Sequence, residues 1–409
     1  AGGAMARVAD ASCIQFRRLN TRKGLAVQSS RAQVDIHRYP AAMAEALLGP
    51  QAAIEGRVPP QVQFVEGEVV SIRVDGRVRG VDLADGSALT ADAVVLTTGT
   101  FLAALMHQGE DQTQGGRVGD SAAARLSANL RSLGLRLFRL KTGTTPRLDA
   151  KTIDWSQLEL QEDTFPQGRF SFSPSPRTLP QIDCHLAWTS PEIHALIRDN
   201  LHRAPMFTGQ IEGRGPRYCP SIEDKVVRFA HRERHLLFLE PEGLDTPRIY
   251  VNGLSTSLPL DVQRRMIAAI PGLERAVILQ AGYAVEYDVS DPRDLDAGMQ
   301  HRGVPGLYLA GQVNGTSGYE EAAAQGLLAG ASAARGEAVV LGRDEAYAGV
   351  LVDDLVSRGV GGEPYRMFSS RAEHRLLLRE DNADRRLMPR ARALGLLSDA
   401  AWQRFQDKA

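Results

Sequence analysis

Lysine is nearly missing from this chain: Lys23, Lys141, Lys151, Lys225 and Lys408 are the only five in 409 residues, so arginine carries the positive charge. That skew follows genome base composition as readily as function and decides nothing by itself. Net charge is missing too. With 48 basic and 49 acidic residues the balance is −1 at pH 7, which neither points to nor excludes a nucleic-acid partner; any RNA contact has to come from a local patch. Cysteine is scarce. Cys13, Cys184 and Cys219 are too few and too scattered for a disulfide framework and form no C-x-x-C pair, which excludes a stapled secreted scaffold and suits a reducing cytoplasm. No metal site is expected. No apolar run approaches the roughly 18 residues of a membrane span, and the opening Ala1-Gly2-Gly3-Ala4-Met5 lacks the basic and apolar regions of a signal peptide. The expectation is a cytoplasmic protein with no membrane segment.

What is present reads as an ordinary globular chain, 43% hydrophobic and 24% charged, long enough for two or three domains. From Val62 to Val81 short β-rich runs alternate around a turn at Asp75-Gly76. A second turn at Asp85-Gly86 precedes the wholly apolar run Ala93-Val94-Val95-Leu96, expected to be a strand covered on both faces. It stops at Thr97-Thr98-Gly99-Thr100, where glycine lets backbone come close to a ligand. Between about 141 and 300 the composition changes, with prolines clustered at 166–180, and this stretch reads as a second domain inserted into the first. Gly306 to Gly311 then repeats the pattern of a strand ending in glycine, followed by an alanine- and glycine-rich helix over about 319–334. From 337 onward the pattern is helical and arginine-rich, with no strand signal after about 370, and the first ten residues show no fold-starting element.

Two strand-then-glycine units suit a dinucleotide-binding α/β fold, in which ligands sit at the carboxyl ends of strands. Each unit alone is equally a buried strand with a tight turn. The phosphate loop of such folds, G-x-G-x-x-G, occurs nowhere in the chain. The expectation is that it lies ahead of Ala1, that the chain is an internal piece of a longer protein, and that the isolated piece binds a dinucleotide poorly.

Three long segments carry a resemblance: Gly215-Pro216-Arg217-Tyr218-Cys219-Pro220-Ser221-Ile222-Glu223-Asp224-Lys225, then Ala310-Gly311-Gln312-Val313-Asn314-Gly315 running on to Gly326, and Ser370-Arg371-Ala372-Glu373-His374-Arg375 running on to Asp384. In this order they resemble the signature segments of the MnmG (GidA) family, over nearly the whole chain. The resemblance implies an incomplete FAD-binding Rossmann-like α/β domain (1–140 and 301–336), an inserted α+β domain for NAD and substrate (141–300), and the start of an all-helical RNA- and partner-binding domain (337–409). It implies a flavoenzyme that adds a carboxymethylaminomethyl or aminomethyl group at carbon 5 of the wobble uridine of tRNA. FAD, NADH and methylenetetrahydrofolate serve as cofactors, the GTPase MnmE as partner, and the enzyme is a homodimer. FAD contacts are implied at Val69, Gly99, Gly311, Gln312 and Asn314, with Arg31 as a phosphate partner or a structural residue. The NAD segment runs from Gly215 through Lys225 to Val226, Val227, Arg228 and Phe229.

Carbon 5 of uracil is a poor nucleophile, and a thiolate adding to carbon 6 turns it into an enolate-like one, which makes Cys219 the catalytic candidate. Arg214, Arg217 and Lys225 favour its thiolate if they lie close in space; an inert cysteine in a Tyr-Cys-Pro turn is the alternative. Glu223 and Asp224 suit acid-base work, nicotinamide contact or helix capping alike. Eight arginines over 366–392, Arg371, Arg375 and Arg379 among them, suit RNA phosphates or a salt-bridged helix face. The rival readings are a TrmFO-like folate- and flavin-dependent tRNA uridine methyltransferase and a non-catalytic fragment that binds RNA or a partner.

Overall fold

The computed structural model describes residues 3–49, 62–161, 165, 168–172, 178–213, 215 and 220–408. It is α/β throughout. A three-stranded antiparallel ribbon, Val69–Asp75, Arg77–Leu83 and Ala88–Thr90, turns where the Asp-Gly pairs place its bends. It leads into the strand Val94–Leu96, which pairs in parallel with Leu307–Leu309 in the register Leu96↔Leu309. Leu307, Tyr308 and Leu309 are all buried, whereas Val94 and Val95 are half-buried and only Leu96 is buried, so the expected two-sided cover is met by one strand of the pair. The helices Ala124–Ser132 and Tyr319–Arg335 complete this layer, and its core gathers Leu96, Leu126, Leu130, Leu307, Leu309 and Leu328. The alanines and glycines of Tyr319–Arg335 allow that helix to pack closely on the parallel pair.

A four-stranded antiparallel sheet follows in the order Asp111–Gln114, Leu105–Gln108, Ala284–Ser290, Leu137–Gly143. All seven residues of Ala284–Ser290 are buried, with Glu286 and Asp288 on one face and Val285, Tyr287 and Val289 on the other. A six-stranded antiparallel sheet is built within residues 147–280, in the order Glu159–Gln161, Cys184–Trp188, Leu236–Pro241, Arg248–Asn252, Arg147–Asp149, Ile278–Gln280. The helices Pro191–Asp199, Ile222–Arg228 and Leu260–Ala268 bury Ile193, Ile197, Ile222, Val226, Val262 and Met266 in its core.

The amino-terminal region differs from its expectation. Residues Met5–Ala11 form a helix although no side chain caps it. Packing supplies what local sequence does not: Val8 and Ala9 are buried, and the Asp10 carboxylate accepts the backbone N–H groups of Phe170 and Ser171 at 2.8 Å each. The hairpin Cys13–Leu19 with Ser29–Val34 and the helix Arg38–Leu48 follow.

Beyond 337 the helices are Tyr347–Arg358, Ala383–Ala393 and Asp399–Lys408, but 372–382 is a chain of turns rather than a helix. Its arginines hold irregular backbone in place. Arg386 donates to the carbonyls of Glu345 and Arg379, and Arg390 donates to that of Val340 at 2.7 Å. Arg343 is the centre of this region, bonding Glu373 through Nε and Nη2 at 2.7 and 2.8 Å and Asp353 and Asp354 through Nη1 at 2.8 and 2.9 Å. No helix among the described residues is long and apolar enough to cross a membrane.

Candidate functional site

The two glycine turns meet. Gly99, at φ +58°, follows the first parallel strand, and Gly311, at φ +86°, follows the second; both take the left-handed backbone that a side chain disfavours. A Cβ on Gly99 would stand 3.9 Å from Gln312 Oε1, so Gly99, Gly311 and Gln312 share one corner at the carboxyl ends of the strands. Below it lies a buried amide network. Asn314 Nδ2 donates to the Leu309 carbonyl at 2.8 Å and to Gln325 Oε1 at 2.9 Å, and the Gly311 N–H donates to the same Oε1 at 3.2 Å. Gln325 Nε2 donates in turn to Thr316 Oγ1 and the Glu321 carbonyl at 3.0 and 3.1 Å.

Gln325 is thus the hub, and sequence reasoning did not single it out. The clue was a lone long polar side chain within the run Ala322 to Gly330. Thr98 Oγ1 and Asn314 Oδ1 are buried with no hydrogen-bond partner among the described residues, and the Tyr287 hydroxyl has the Gln312 side chain as its neighbour. Val69 packs half-buried against the same core. Arg31 does not join the corner: its guanidinium is paired with the buried Glu240 of the six-stranded sheet.

Gly213 and Gly215 lie against the four-stranded sheet. The Gly213 N–H donates to Glu286 Oε1, and a Cβ there would come within 2.8 Å of the Leu140 carbonyl carbon. A Cβ on Gly215 would stand 2.4 Å from Lys141 Cε, so neither position tolerates a side chain without displacement. Glu286 and Lys141 are themselves cross-strand partners. Burial favours the neutral acid of Glu286, but His107 with Nε2 at 3.8 Å, the Gly213 N–H and Arg139 outweigh it and bring its pKa down to about 2. The charge chain continues through Arg139 to Asp288 at 3.2 Å, whose other oxygen accepts from Ser127 at 2.5 Å and Arg131 at 2.8 Å.

Arg214, Pro216, Arg217, Tyr218 and Cys219 lie outside the described residues. The half-buried Pro220 leads to Ser221, which caps the helix Ile222–Arg228 by accepting the Asp224 N–H at 3.3 Å. Capping therefore falls to the serine and not to the acidic pair. Glu223 is buried and reaches across to Thr256 Oγ1 at 2.8 Å and the Ser257 N–H at 3.0 Å. Its second oxygen is buried without a hydrogen-bond partner among the described residues. The Ile222 N–H donates to the Ser255 carbonyl at 2.7 Å and Lys225 Nζ to that of Gly253 at 2.8 Å, so loop 253–257 latches the whole helix. Ile222 and Val226 face the core, Val227 and Phe229 are exposed, and Arg228 lies 3.9 Å from Asp224. Gly213, Gly215, Arg228, Met206 and Glu363 line a cleft of about 510 Å³. Replacing Ser221 with alanine is expected to cost about 1 kcal/mol, read as a lower urea midpoint at unchanged slope.

Of the three arginines proposed for RNA, two are used within the fold. Arg371 donates to the Arg366 carbonyl at 2.9 Å and stacks over the Tyr365 ring at 4.2 Å. Arg379 holds Asp381 through two nitrogens at 2.9 and 3.1 Å. Arg375 is exposed with no ion pair among the described residues. Cys13 and Cys184 are buried and both bond Gln15, at 3.2 Å each, and burial pushes the Cys184 thiol up to about 12. The described residues hold no cluster of metal ligands.

The family described as glucose inhibited division protein A matches residues 1–338. The chain is 51% identical over 412 residues to the tRNA uridine 5-carboxymethylaminomethyl modification enzyme MnmG of Geobacter metallireducens, covering 100% of this chain and 64% of that protein. Its identity to the enzyme of the same name from Rhodopirellula baltica is 51%, covering 100% of this chain and 63% of the relative. The crystal structure of Aquifex aeolicus GidA superposes with a TM-score of 0.91 at 46% identity, over 99% of this chain and 68% of that one. The chain spans a little under two thirds of the curated relatives it matches. On these matches, and on the three motif segments its sequence carries, the chain belongs to the glucose inhibited division protein A (GidA, MnmG) family.

Proposed function

We propose that the protein carrying this sequence is an FAD-dependent enzyme that adds a carboxymethylaminomethyl or aminomethyl group at carbon 5 of the wobble uridine of tRNA, as the names of its relatives describe for the carboxymethylaminomethyl group. The observation that carries the reading is the corner where Gly99, Gly311 and Gln312 meet at the carboxyl ends of the parallel strands, with the buried Thr98 Oγ1 and Asn314 Oδ1 unpaired among the described residues. Bare glycine backbone and unpaired donors and acceptors fit a flat polar heterocycle such as the flavin ring. Gly99, Gly311, Gln312 and Asn314, with Val69 nearby, are the residues to hold it; Arg31, tied to Glu240, acts through the sheet. Bound FAD supplies redox chemistry, with NADH as hydride source and methylenetetrahydrofolate as one-carbon donor.

The chain's own residues do the rest. Cys219 adds its thiolate to carbon 6 of uracil; a sulfur–carbon bond forms and the double-bond electrons move onto the carbon 4 oxygen, which makes carbon 5 nucleophilic. After the new bond at carbon 5 forms, that carbon gives up its proton and the thiolate leaves, restoring the ring. The latched helix Ile222–Arg228 and the glycines Gly213 and Gly215 hold the ends of the segment Gly215–Phe229, proposed to take the nicotinamide cofactor. The exposed Arg375 and Arg385, with no ion pair among the described residues, are the cations of the arginine-rich segment for tRNA phosphate. Residues 141–300 serve as the inserted substrate unit, 337–409 as the start of the RNA- and partner-binding unit, with a second copy and the GTPase MnmE as partners. Deleting the gene and measuring tRNA nucleosides by mass spectrometry is expected to remove the modified wobble uridines; unchanged nucleosides would overturn the reading.

A further inference from the structure

No acidic residue occurs between Asp10 and Asp35, whereas Arg17, Arg18, Arg22, Lys23 and Arg31 all fall in that stretch. It folds as the hairpin Cys13–Leu19 with Ser29–Val34, and the loop joining the two strands is closed by its own hydrogen bonds. Asn20 enters the left-handed region at φ +57°, which asparagine tolerates better than most residues, and its Nδ2 donates to the Val27 carbonyl at 2.9 Å. Inside this closure the Lys23 N–H donates to the Asn20 carbonyl at 2.8 Å, the Val27 N–H to that of Gly24 at 3.1 Å, and Gln28 Nε2 to that of Lys23 at 2.7 Å. The loop thus presents Arg22 and Lys23 to solvent on a fixed backbone, and neither has an ion pair among the described residues.

One carboxylate fastens this hairpin to the arginine-rich segment. Glu380 Oε1 accepts from Arg18 Nη1 at 3.1 Å and Ser30 Oγ at 2.6 Å, and its Oε2 accepts the Ser30 N–H at 2.8 Å. Arg18 and Ser30 are cross-strand partners, one pair short of the loop, so Glu380 grips both strands beside it. At most about 14 Å of extended chain separates Arg18 from Arg22, and about 18 Å separates Glu380 from Arg375. The cations of loop and segment therefore lie within reach of one stretch of RNA backbone. The carboxylates interspersed there are already engaged, Glu373 by Arg343, Asp381 by Arg379 and Glu380 by Arg18. What carries no ion pair among the described residues is positive: Arg22, Lys23 and Arg375. We propose that the loop between Asn20 and Gln28 is an RNA-contacting element, in which Arg22 and Lys23 pair with backbone phosphates next to those met by Arg375, and that Glu380 is the positioning residue holding loop and segment together. The assignment rests on the tRNA reading of the arginine-rich segment and extends that surface to the opposite end of the chain.

The test uses the full-length gene product that carries this sequence and unmodified tRNA, with binding followed by fluorescence anisotropy from about 50 to about 200 mM salt. The double variant Arg22→Ala, Lys23→Ala is expected to bind roughly tenfold more weakly and to flatten the slope of log K against log salt by roughly 1.5, the share of two phosphates. Its melting temperature stays at the wild-type value, because both side chains are exposed. Arg264→Ala, which removes an exposed cation from the helix Leu260–Ala268, is expected to bind as the wild type does. Glu380→Ala supplies a test of sign: loss of a surface anion strengthens RNA binding by charge alone, whereas release of the hairpin weakens it, and severalfold weaker binding is expected. Wild-type affinity and slope in the double variant overturn the assignment and leave the loop to a protein partner. An equal loss in Arg264→Ala overturns it as an effect of overall charge, and tighter binding by Glu380→Ala removes the positioning role. If the wild-type protein binds no tRNA, the RNA reading fails first and takes the assignment with it.

Discussion

Replacing Cys219 with serine is expected to lower wobble-uridine modification roughly a thousandfold or more, while flavin absorbance and tRNA binding stay at wild-type levels. The substitution changes one atom, so its effect is on reactivity. A serine hydroxyl is almost wholly protonated at neutral pH, and its oxygen is a poorer nucleophile toward an unsaturated carbon than a thiolate. Without addition at carbon 6, carbon 5 of uracil has no means of attacking a one-carbon unit. The other two cysteines offer no substitute: Cys13 and Cys184 are buried and bonded to Gln15. Single-turnover reaction with undermodified tRNA, read by nucleoside mass spectrometry, measures the loss. A serine variant that keeps more than a tenth of the wild-type rate would remove the thiol from the mechanism.

The largest effect on stability is expected at Glu286. Its truncation to alanine leaves the Gly213 N–H without its acceptor and takes one of the two carboxylates from Arg139, which keeps Asp288 and the Ala103 carbonyl, so the cost is expected at or below the about 3–5 kcal/mol of breaking a buried ion pair. Urea denaturation at pH 7 reads this as a lower midpoint. Glutamine in the same place keeps an acceptor for Gly213 and loses only the charge, so it is expected to cost less. The charge also sets a pH dependence. Because the folded pKa of Glu286 is depressed to about 2 from the ordinary 4.5, the native state favours the carboxylate. That contribution is fully present above about pH 4.5 and is lost as pH falls toward 2. Wild type and Glu286→Gln are therefore expected to differ most at neutral pH and to converge on acidification through this window. A difference that stays constant from pH 7 to pH 2.5 would show that Glu286 acts by shape alone.

Much of the corner was legible because it is local: an apolar strand stopped by glycine, twice, reads as a strand ending in a tight turn, with or without a ligand against it. Which strand faces which was not, since Leu96 and Leu309 meet only in the folded chain. The strand Ala284–Ser290 shows why alternation misleads. Ala-Val-Glu-Tyr-Asp-Val-Ser reads as one dry and one wet face, yet every residue is buried, because Arg139, Arg131 and His107 arrive from other elements to satisfy the carboxylates. Glu223 misled in the same way. An acid in the first turn of a helix suggests a cap, but its carboxylate bonds Thr256 and Ser257, far along the chain. The arginines of 366–392 read as a charged helix face or a phosphate patch, and most of them instead bind backbone carbonyls or nearby carboxylates in a segment of turns. Guanidinium groups with five donors suit irregular backbone, and composition does not distinguish that use from phosphate binding.

Strands Leu137–Gly143 and Ala284–Ser290 pair over seven residues, yet residues 144–283 separate them. Closing so long a loop is entropically costly and slow, unless the intervening six-stranded sheet has already condensed and brought its two ends together. On a ribosome, the partner strand for Leu137–Gly143 emerges only after that sheet has been synthesised. The corner under Gln312 therefore cannot close before that sheet has been made, and a chain that stalls before that point exposes the unpaired edge of Leu137–Gly143 to whatever strand is nearest.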